Sequence, residues 1–102
     1  MAELYVKKRI PVEAFHWNPT YDNYWPLWHE LREFTSAQVR RESALDTEDG
    51  VTLYEVYDFL HDTWVKFDEG DWIIKGALGE FYPHNGELFP QVYEPWTDEE
   101  TT

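Results

Sequence analysis

Few residues in this sequence have the type and spacing that catalysis requires. The chain has no cysteine, and its serines, Ser36 and Ser43, do not stand in a G-x-S-x-G nucleophile elbow. Its histidines form no H-x-x-x-H pair, and the neighbours His29-Glu30 and His61-Asp62 would point their side chains in different directions on a helix or strand. We therefore predict no catalytic residues, no metal site and no cofactor.

Carboxylates are abundant, and the densest of them fall into two groups. Asp68-Glu69-Gly70-Asp71 is too short for a calcium loop, which needs oxygen ligands at fixed positions around a glycine. Any acidic protein also contains accidental carboxylate pairs, so a glycosidase pair cannot be argued from them. We predict solvated turns that form an acidic surface of Asp46, Glu48, Asp49, Asp68, Glu69 and Asp71.

The stretch Gly76-Ala77-Leu78-Gly79 has the spacing of a G-x-x-G loop, which in KH domains clamps an RNA backbone. That loop joins two helices among basic residues, whereas this stretch lies between two strand-like runs and is followed by Glu80. Glycine admits the positive φ that tight hairpins demand. We therefore predict a turn, because Lys75 alone is not a phosphate cradle.

The aromatic residues around Trp72 are the best candidates for a binding surface. In a strand over residues 72–75, Trp72 and Ile74 point one way, whereas Ile73 and Lys75 point the other. One set would fill the core, and the other would line a groove that stacks a base or a peptide. The candidate binding residues are Trp17, Trp72, Lys75, Tyr82 and Tyr93. Core packing is the alternative for each aromatic residue among them.

The elements that must position these residues follow from periodicity and turn signals. Leu27, Leu31 and Phe34 recur at i, i+4 and i+7, which predicts one amphipathic helix over residues 24–35. Most of the other segments are typical of short strands joined by turns. Pro83 would end one strand, residues 84–89 would form a helical turn, and residues 91–94 would form a last strand.

These elements predict an α+β fold in one domain. The amphipathic helix would pack on a strongly bent, mostly antiparallel sheet or small barrel. Residues 1–96 would form this domain, and residues 97–102 are predicted to be an acidic disordered tail.

Charge is unevenly distributed along the chain, whose net charge is −13. Residues 1–41 hold six basic and five acidic residues, whereas residues 42–102 hold two basic and sixteen acidic residues. The acidic half would repel nucleic-acid phosphates but would be attracted to basic protein surfaces, including those that hold nucleic acid. A charge that only keeps the protein soluble is the simpler alternative.

The sequence also lacks signals for a membrane. No apolar run approaches the ~18 residues of a membrane helix, and the basic residues near the N-terminus are not followed by the apolar segment of a signal peptide. We therefore expect a soluble intracellular protein without membrane contact.

Two motifs resemble those of a large group of small phage and prophage proteins of unknown function. Residues 8–17, KRIPVEAFHW, resemble the K-K-P-V…E-A-x-x-W opening of the group. Residues 69–83 resemble its P-G-D-W-I-I-K-G-x-x-G-E-F-Y-P motif, with Glu69 in place of the first proline, and F-x-x-x-Y-E-P follows at residues 89–95. His84 stands where the group often has a cysteine. The resemblance implies a bacteriophage accessory protein in the cytoplasm of a host bacterium, and it brings no catalytic residues.

Two hypotheses of different class follow. In the first, the chain is a non-enzymatic inhibitor that docks its acidic half on a host protein, in one version as a nucleic-acid mimic. In the second, its aromatic face sequesters a nucleotide signal of host defence, which requires Lys7–Arg9 or Arg40–Arg41 to meet Trp72 or Tyr82. An enzyme is a third alternative. Direct binding of nucleic acid is not expected, and the aromatic excess is compatible with a homo-oligomer.

Overall fold

The structure is a computed structural model that describes residues 2–6 and 8–96. The described residues contain six strands and two helices, which are β1 (Glu13–His16), α1 (Tyr24–Phe34), β2 (Val39–Glu42), β3 (Leu53–Asp58), β4 (Thr63–Phe67), β5 (Trp72–Lys75), β6 (Phe81–His84) and α2 (Phe89–Val92). The strands form two antiparallel three-stranded sheets, sheet A in the order β1-β5-β6 and sheet B in the order β2-β3-β4. The predicted α+β class with mostly antiparallel strands is confirmed. The predicted tail, residues 97–102, lies outside the described residues.

The expected single bent sheet or small barrel is replaced by two separate sheets, and the described strands close no barrel. A physical reason lies in β6, the edge strand of sheet A, which contains Pro83. Proline has no N–H to donate to a further strand, so the ladder ends there. β6 instead lies close to β3 and β4 of sheet B. Pro83 therefore marks the end of the sheet, not the end of the strand as the sequence predicted.

The helix α1 confirms the element that the apolar spacing predicted. Trp28 and Leu31 are buried, and the flanking apolar residues of the same stripe pack against the same core. Asn23 precedes the helix, and its carbonyl accepts the N–H of Leu27 at 2.9 Å. Pro26 lies in the first turn, where a missing N–H costs least. The helix thus covers the core from its Trp28–Leu31 side.

The core is built around one tryptophan, Trp17, which is completely buried. Its ring makes edge contacts with Tyr24, Trp28 and Tyr54 at centroid distances of 5.5, 5.5 and 5.3 Å. These partners come from α1 and from β3, so one side chain joins the helix to sheet B. Backbone bonds between Trp17 and the Gly70–Asp71 turn extend the pairing of β1 with β5 by one residue.

Sheet A is covered on both faces. Its inner face presents Phe15, Ile73 and Phe81 to the core, as the register of β1, β5 and β6 requires. Its outer face, defined by the same register, carries Ala14, His16, Trp72, Ile74, Tyr82 and His84. Ile73 and Ile74 are both fully buried, although they point to opposite faces. Something must therefore pack on the outer face, and the C-terminal part of the chain does so.

The C-terminal part differs from the sequence prediction. The helical turn is α2, not residues 84–89, and the residues expected to form a last strand belong partly to α2. Asn85 explains the shift, because its side-chain oxygen accepts the N–H groups of Glu87 and Leu88 at 2.8 and 3.1 Å. This side chain holds the turn of residues 85–88, which precedes α2.

Candidate functional site

Four aromatic rings form a continuous stack on the outer face of sheet A. They come in the order His16, Trp72, Phe89 and Tyr93, with successive centroids 4.3, 4.1 and 4.9 Å apart. Successive ring planes differ by 2°, 7° and 17°. Such parallel, closely spaced rings bury large apolar areas and fix one another's positions. We call this group the ring stack.

The strand register and two hydrogen bonds position the ring stack. His16 and Trp72 lie opposite each other in β1 and β5, which places their rings side by side. A hydrogen bond of 3.0 Å links His16 Nε2 to the carbonyl oxygen of Gly70. On the other side, Gly86 N donates to Asp71 Oδ1 at 3.2 Å and holds the start of the α2 segment against the β4–β5 turn. Phe89 and Tyr93 are thereby set against Trp72.

Tyr93 lines three concave regions, and two of them also include residues of sheet A. The first, which we call the aromatic cavity, has a volume of about 490 Å³, and its walls include Trp72, Phe89, Pro90 and Tyr93. The second, the basic cavity, has a volume of about 580 Å³ and includes Lys8, Arg9, Tyr82 and Tyr93 among its lining residues. Both volumes are in the range of small-molecule sites.

The side chain of Tyr82 lines the basic cavity, and its pKa is raised. Burial raises the pKa of Tyr82 to about 12, and a side-chain hydrogen bond with Tyr93 adds to the rise. An ordinary tyrosine is already protonated at neutral pH, and the raised pKa extends the range in which Tyr82 remains a hydrogen-bond donor to more alkaline solution. Tyr82 thus presents a neutral hydroxyl group to a cavity that also contains Lys8, Arg9 and Glu80.

The structure brings three of the five predicted binding residues together. Trp72, Tyr82 and Tyr93 share the outer face of sheet A. Lys75 instead lies on the inner-face side of the register, is exposed, and has its Nζ 4.0 Å from Glu13 Oε2. Trp17 is buried in the core and does not line a groove, because its ring packs against aromatic rings of α1 and β3. Core packing, the alternative reading, therefore applies to Trp17.

Sequence reasoning missed two members of the ring stack. His16 could have been found from the pairing of β1 with β5, which sets it opposite Trp72. Phe89 had a weaker signal, because the segment around it was assigned to the wrong elements. Its place in the F-x-x-x-Y-E-P motif is the feature that ties it to Tyr93, four residues later.

One of the two basic clusters reaches the aromatic face. Arg9 Nη2 lies 3.2 Å from Glu94 Oε1, and its guanidinium lies 5.2 Å from the centre of the Trp96 ring. Lys8 and Arg9 line the basic cavity together with Tyr82, whereas Lys7 lies outside the described residues. The spatial condition of the nucleotide hypothesis is therefore met by Lys8 and Arg9.

The other basic cluster is engaged in contacts within the fold. Arg40 Nε contacts Glu55 Oε1 at 2.9 Å, and its guanidinium lies 4.0 Å from the centre of the Trp64 ring. Arg41 Nε donates to the hydroxyl of Tyr24 at 3.0 Å. Arg40 thus links neighbouring strands of sheet B, and Arg41 links sheet B to α1.

The first group of predicted acidic residues lies on an exposed loop, residues 43–52, which we call the acidic loop. Asp46, Glu48 and Asp49 are exposed there, around a concavity of about 530 Å³. Two apolar side chains of the same loop, Leu45 and Val51, are 94% and 61% exposed. The loop thus combines carboxylates with apolar side chains in solvent.

The second group is largely used to build the fold. Asp71 Oδ1 accepts the N–H of Gly86, and its Oδ2 accepts the N–H of Asp68 at 2.9 Å. Glu69 Oε2 accepts the hydroxyl of Tyr54 at 2.8 Å. Asp68 and Glu69 remain exposed, whereas Asp71 is half-buried. The predicted acidic surface therefore divides into a solvated loop and a structural turn.

The Gly76–Gly79 stretch is a turn, as predicted. Gly79 has a φ of 83° and its N–H donates to the carbonyl of Gly76 at 3.0 Å. The N–H of Leu78 donates to Glu80 Oε2 at 3.0 Å. A carboxylate of the chain thus already occupies a backbone donor that a bound phosphate would need.

Residues 2–6 and 8–96 contain no group of three histidine, cysteine, aspartate or glutamate residues placed to hold a metal ion. In the same part of the chain, no helix has the length and apolar character needed to cross a membrane. No protein-family model, curated protein or solved structure matches the chain.

Proposed function

We propose that this chain is a non-enzymatic bacteriophage accessory protein that binds a host bacterial protein in the cytoplasm and modulates its activity. The acidic loop is the proposed contact surface. The observation that carries the proposal is the exposure of Leu45 and Val51 beside Asp46, Glu48 and Asp49. Carboxylates needed only for solubility require no exposed apolar neighbours, whereas protein interfaces combine an apolar centre with a polar rim.

The charge of the loop points to a basic partner surface. Lys66 is the one cationic residue that lines the concavity of the acidic loop within the described residues, against Glu42 and the loop carboxylates. With a net charge of −13, the whole molecule adds a long-range attraction to a basic surface. Surfaces that hold nucleic acid are of this type, so competition with nucleic acid is the expected form of inhibition.

Neutralising the loop should weaken this binding. In the variant Asp46→Asn/Glu48→Gln/Asp49→Asn, we expect recovery of a specific host protein from lysate to fall roughly tenfold, since rim charges contribute about 0.2–1 kcal/mol each. The amount of host protein that the unaltered chain recovers should also fall as the salt concentration rises. The recovered protein should bind immobilised duplex DNA, and adding our protein should release it.

The matched control removes three carboxylates elsewhere. The variant Asp22→Asn/Glu30→Gln/Glu33→Gln makes the same charge change at exposed positions on or beside α1. If both triple variants lose recovery equally, net charge and not the acidic loop drives binding. If recovery is insensitive to salt, the acidic-docking proposal is wrong.

A second candidate function is the sequestration of a small anionic ligand with an aromatic base. It is favoured by one observation, the meeting of Lys8 and Arg9 with Tyr82 and Tyr93 in the basic cavity. A base could stack on an aromatic wall while its phosphate contacts Lys8. Glu80 also lines this cavity and opposes an anion, which makes this the second candidate.

A thermal-shift screen with nucleotides tests this second candidate. A ligand at 100 times its Kd should stabilise the fold by about 2.7 kcal/mol and raise the melting temperature. Lys8→Ala should abolish the shift, whereas Lys66→Ala, at an exposed lysine of sheet B, should preserve it. The candidate fails for the tested panel if no nucleotide raises the melting temperature of the unaltered protein.

A further inference from the structure

The N-terminal residues 2–6 form an arm that makes almost no contact with the rest of the chain. Leu4, Tyr5 and Val6 are 103%, 84% and 94% exposed. The Tyr5 hydroxyl donates to Glu3 Oε2 at 2.7 Å, which is a contact within the arm itself. Three consecutive apolar residues in solvent are unfavourable and are typical of a segment that docks on another surface.

The base of the arm, in contrast, is anchored. Arg9 contacts Glu94 at 3.2 Å, and residues 8–12 together with residues 92–96 line a concavity of about 430 Å³. The arm therefore leaves the molecule beside Tyr93 and Glu94, next to the aromatic cavity. Five extended residues span up to about 17 Å, which is enough to cross to a neighbouring molecule.

The overall dimensions agree with a projecting segment. The radius of gyration is 16.1 Å and the longest extent is 54 Å, against a shortest extent of 25 Å. A compact chain of this length has a radius of gyration of about 13 Å. A segment that projects from the compact part of the chain accounts for the larger value.

We propose that the arm of one chain docks on the outer face of sheet A of a second copy, with its apolar side chains in the aromatic cavity. The exchange is reciprocal, so that the two chains form a twofold dimer. The aromatic cavity suits this occupant because most of its wall is apolar, with His16 and Glu94 as its polar members among Trp72, Gly86, Phe89, Pro90, Tyr93 and Pro95. Extended Leu4 and Val6 share one side of the arm and can enter the cavity together.

Charge favours a second copy as the partner. The arm leads into Lys7-Lys8-Arg9, which holds three of the eight basic residues of a chain with net charge −13. Each exchanged arm would bring this basic stretch to the acidic C-terminal half of the other copy. Glu87 is an exposed acidic residue at that face, whereas Glu94 is already paired with Arg9 of its own chain. The repulsion between two acidic chains is therefore offset at the contact itself.

Sedimentation equilibrium tests the dimer. The full chain should have twice the mass of one chain, and Leu4→Asp/Val6→Asp should weaken dimerisation roughly tenfold or more, because each aspartate would have to enter an apolar cavity. The matched control Leu45→Asp/Leu78→Asp makes the same change at two exposed apolar positions outside the arm and should leave the dimer intact. A monomeric full chain, or equal weakening by both variants, would overturn the proposal.

A mixing experiment distinguishes arm exchange from non-specific hydrophobic association. Pro90→Asp places a charge at an exposed wall of the aromatic cavity and should also weaken dimerisation. A mixture of this variant with Leu4→Asp/Val6→Asp contains one intact arm and one intact cavity, so a weak heterodimer should reappear. The proposal is wrong if the mixture stays monomeric.

Cross-linking locates the contact. A photoreactive benzoylphenylalanine in place of Tyr5 should form a bond between chains within residues 86–95. Bonds only within one chain, or only to another region, would also contradict the exchange.

Discussion

Trp17→Ala is expected to lower the free energy of unfolding by about 3–5 kcal/mol, because it removes the largest fully buried side chain of the core. The ring joins Tyr24 and Trp28 of α1 to Tyr54 of β3. A domain of this size is stable by only about 5–15 kcal/mol in total, so the variant should be near its unfolding threshold. Chemical denaturation followed by far-UV circular dichroism measures the loss.

The control for this variant is Trp25→Ala on the exposed side of α1. Trp25 is 54% exposed, and its main contacts are an edge contact with Tyr24 and the guanidinium of Arg41 at 5.0 Å from its ring. Such an exposed cation–π contact contributes about 0.5–1 kcal/mol, and alanine favours the helix. An equal loss for both tryptophan variants would contradict the role of Trp17 as the centre of the core.

The indole N–H of Trp17 reduces the net contribution of this side chain to the free energy of unfolding. Its indole Nε1 is buried and has no hydrogen-bond partner among the described residues. An unsatisfied buried N–H costs about 1–3 kcal/mol, which offsets part of what the ring contributes. The loss on replacement by alanine should therefore lie towards the lower part of its range.

The helix and the strands of the middle of the chain could be predicted because local signals agree with the fold there. The spacing of Leu27, Leu31 and Phe34 matches one helical face, and that face is the one that packs on the core. Strand β3 alternates between half-buried and buried residues, as a strand with one covered face must. Glycines at the turns have the positive φ that their positions require, for example 83° at Gly79.

The C-terminal segment could not be predicted because tertiary contacts override its local signals. Pro83 usually ends a strand, but at the edge of sheet A its missing N–H faces no partner strand and costs nothing. Phe89 and Tyr93 lie in a short segment whose conformation depends on packing against Trp72. Neither the ring stack nor the aromatic and basic cavities can be predicted from the sequence alone, because they depend on this packing.

The candidate site was predicted only in part for a related reason. Alternation within β5 places Trp72 and Lys75 on opposite faces, as predicted, but it does not say which face has a second layer. The fully buried Ile74 shows that the outer face has one. The charge count along the sequence identifies the acidic half of the chain. It cannot separate the solvated carboxylates of the acidic loop from Asp71, which accepts two backbone N–H groups.

Gly86→Ala should damage the candidate site more than any other single glycine substitution at a negative φ. A Cβ at this position would overlap the carbonyl oxygen of Gly70 and lie 2.8 Å from its carbonyl carbon, and both are backbone atoms that cannot rotate away. The two segments must separate, which breaks the bond from Gly86 N to Asp71 Oδ1. We expect a loss of about 3 kcal/mol, at the upper end for overpacking.

The same separation should appear at Tyr82. If the α2 segment moves away from sheet A, Tyr93 no longer covers Tyr82, whose pKa of about 12 should fall towards the ordinary value of 10.0. Absorbance titration of the phenolates would then show one more of the seven tyrosines ionising in the ordinary range. Denaturation measures the stability loss in the same samples.

Gly76→Ala is the matched control for this prediction. A Cβ there would overlap only the end of the Glu80 side chain, which can swing into solvent at the loss of its bond to Leu78 N. We expect a cost of about 1 kcal/mol or less for this exposed hydrogen bond, and an unchanged Tyr82 titration. If Gly86→Ala behaves like Gly76→Ala in both measurements, the close approach of Gly86 to Gly70 does not hold the ring stack in place, and the packing of Phe89 and Tyr93 on Trp72 must hold α2 on its own.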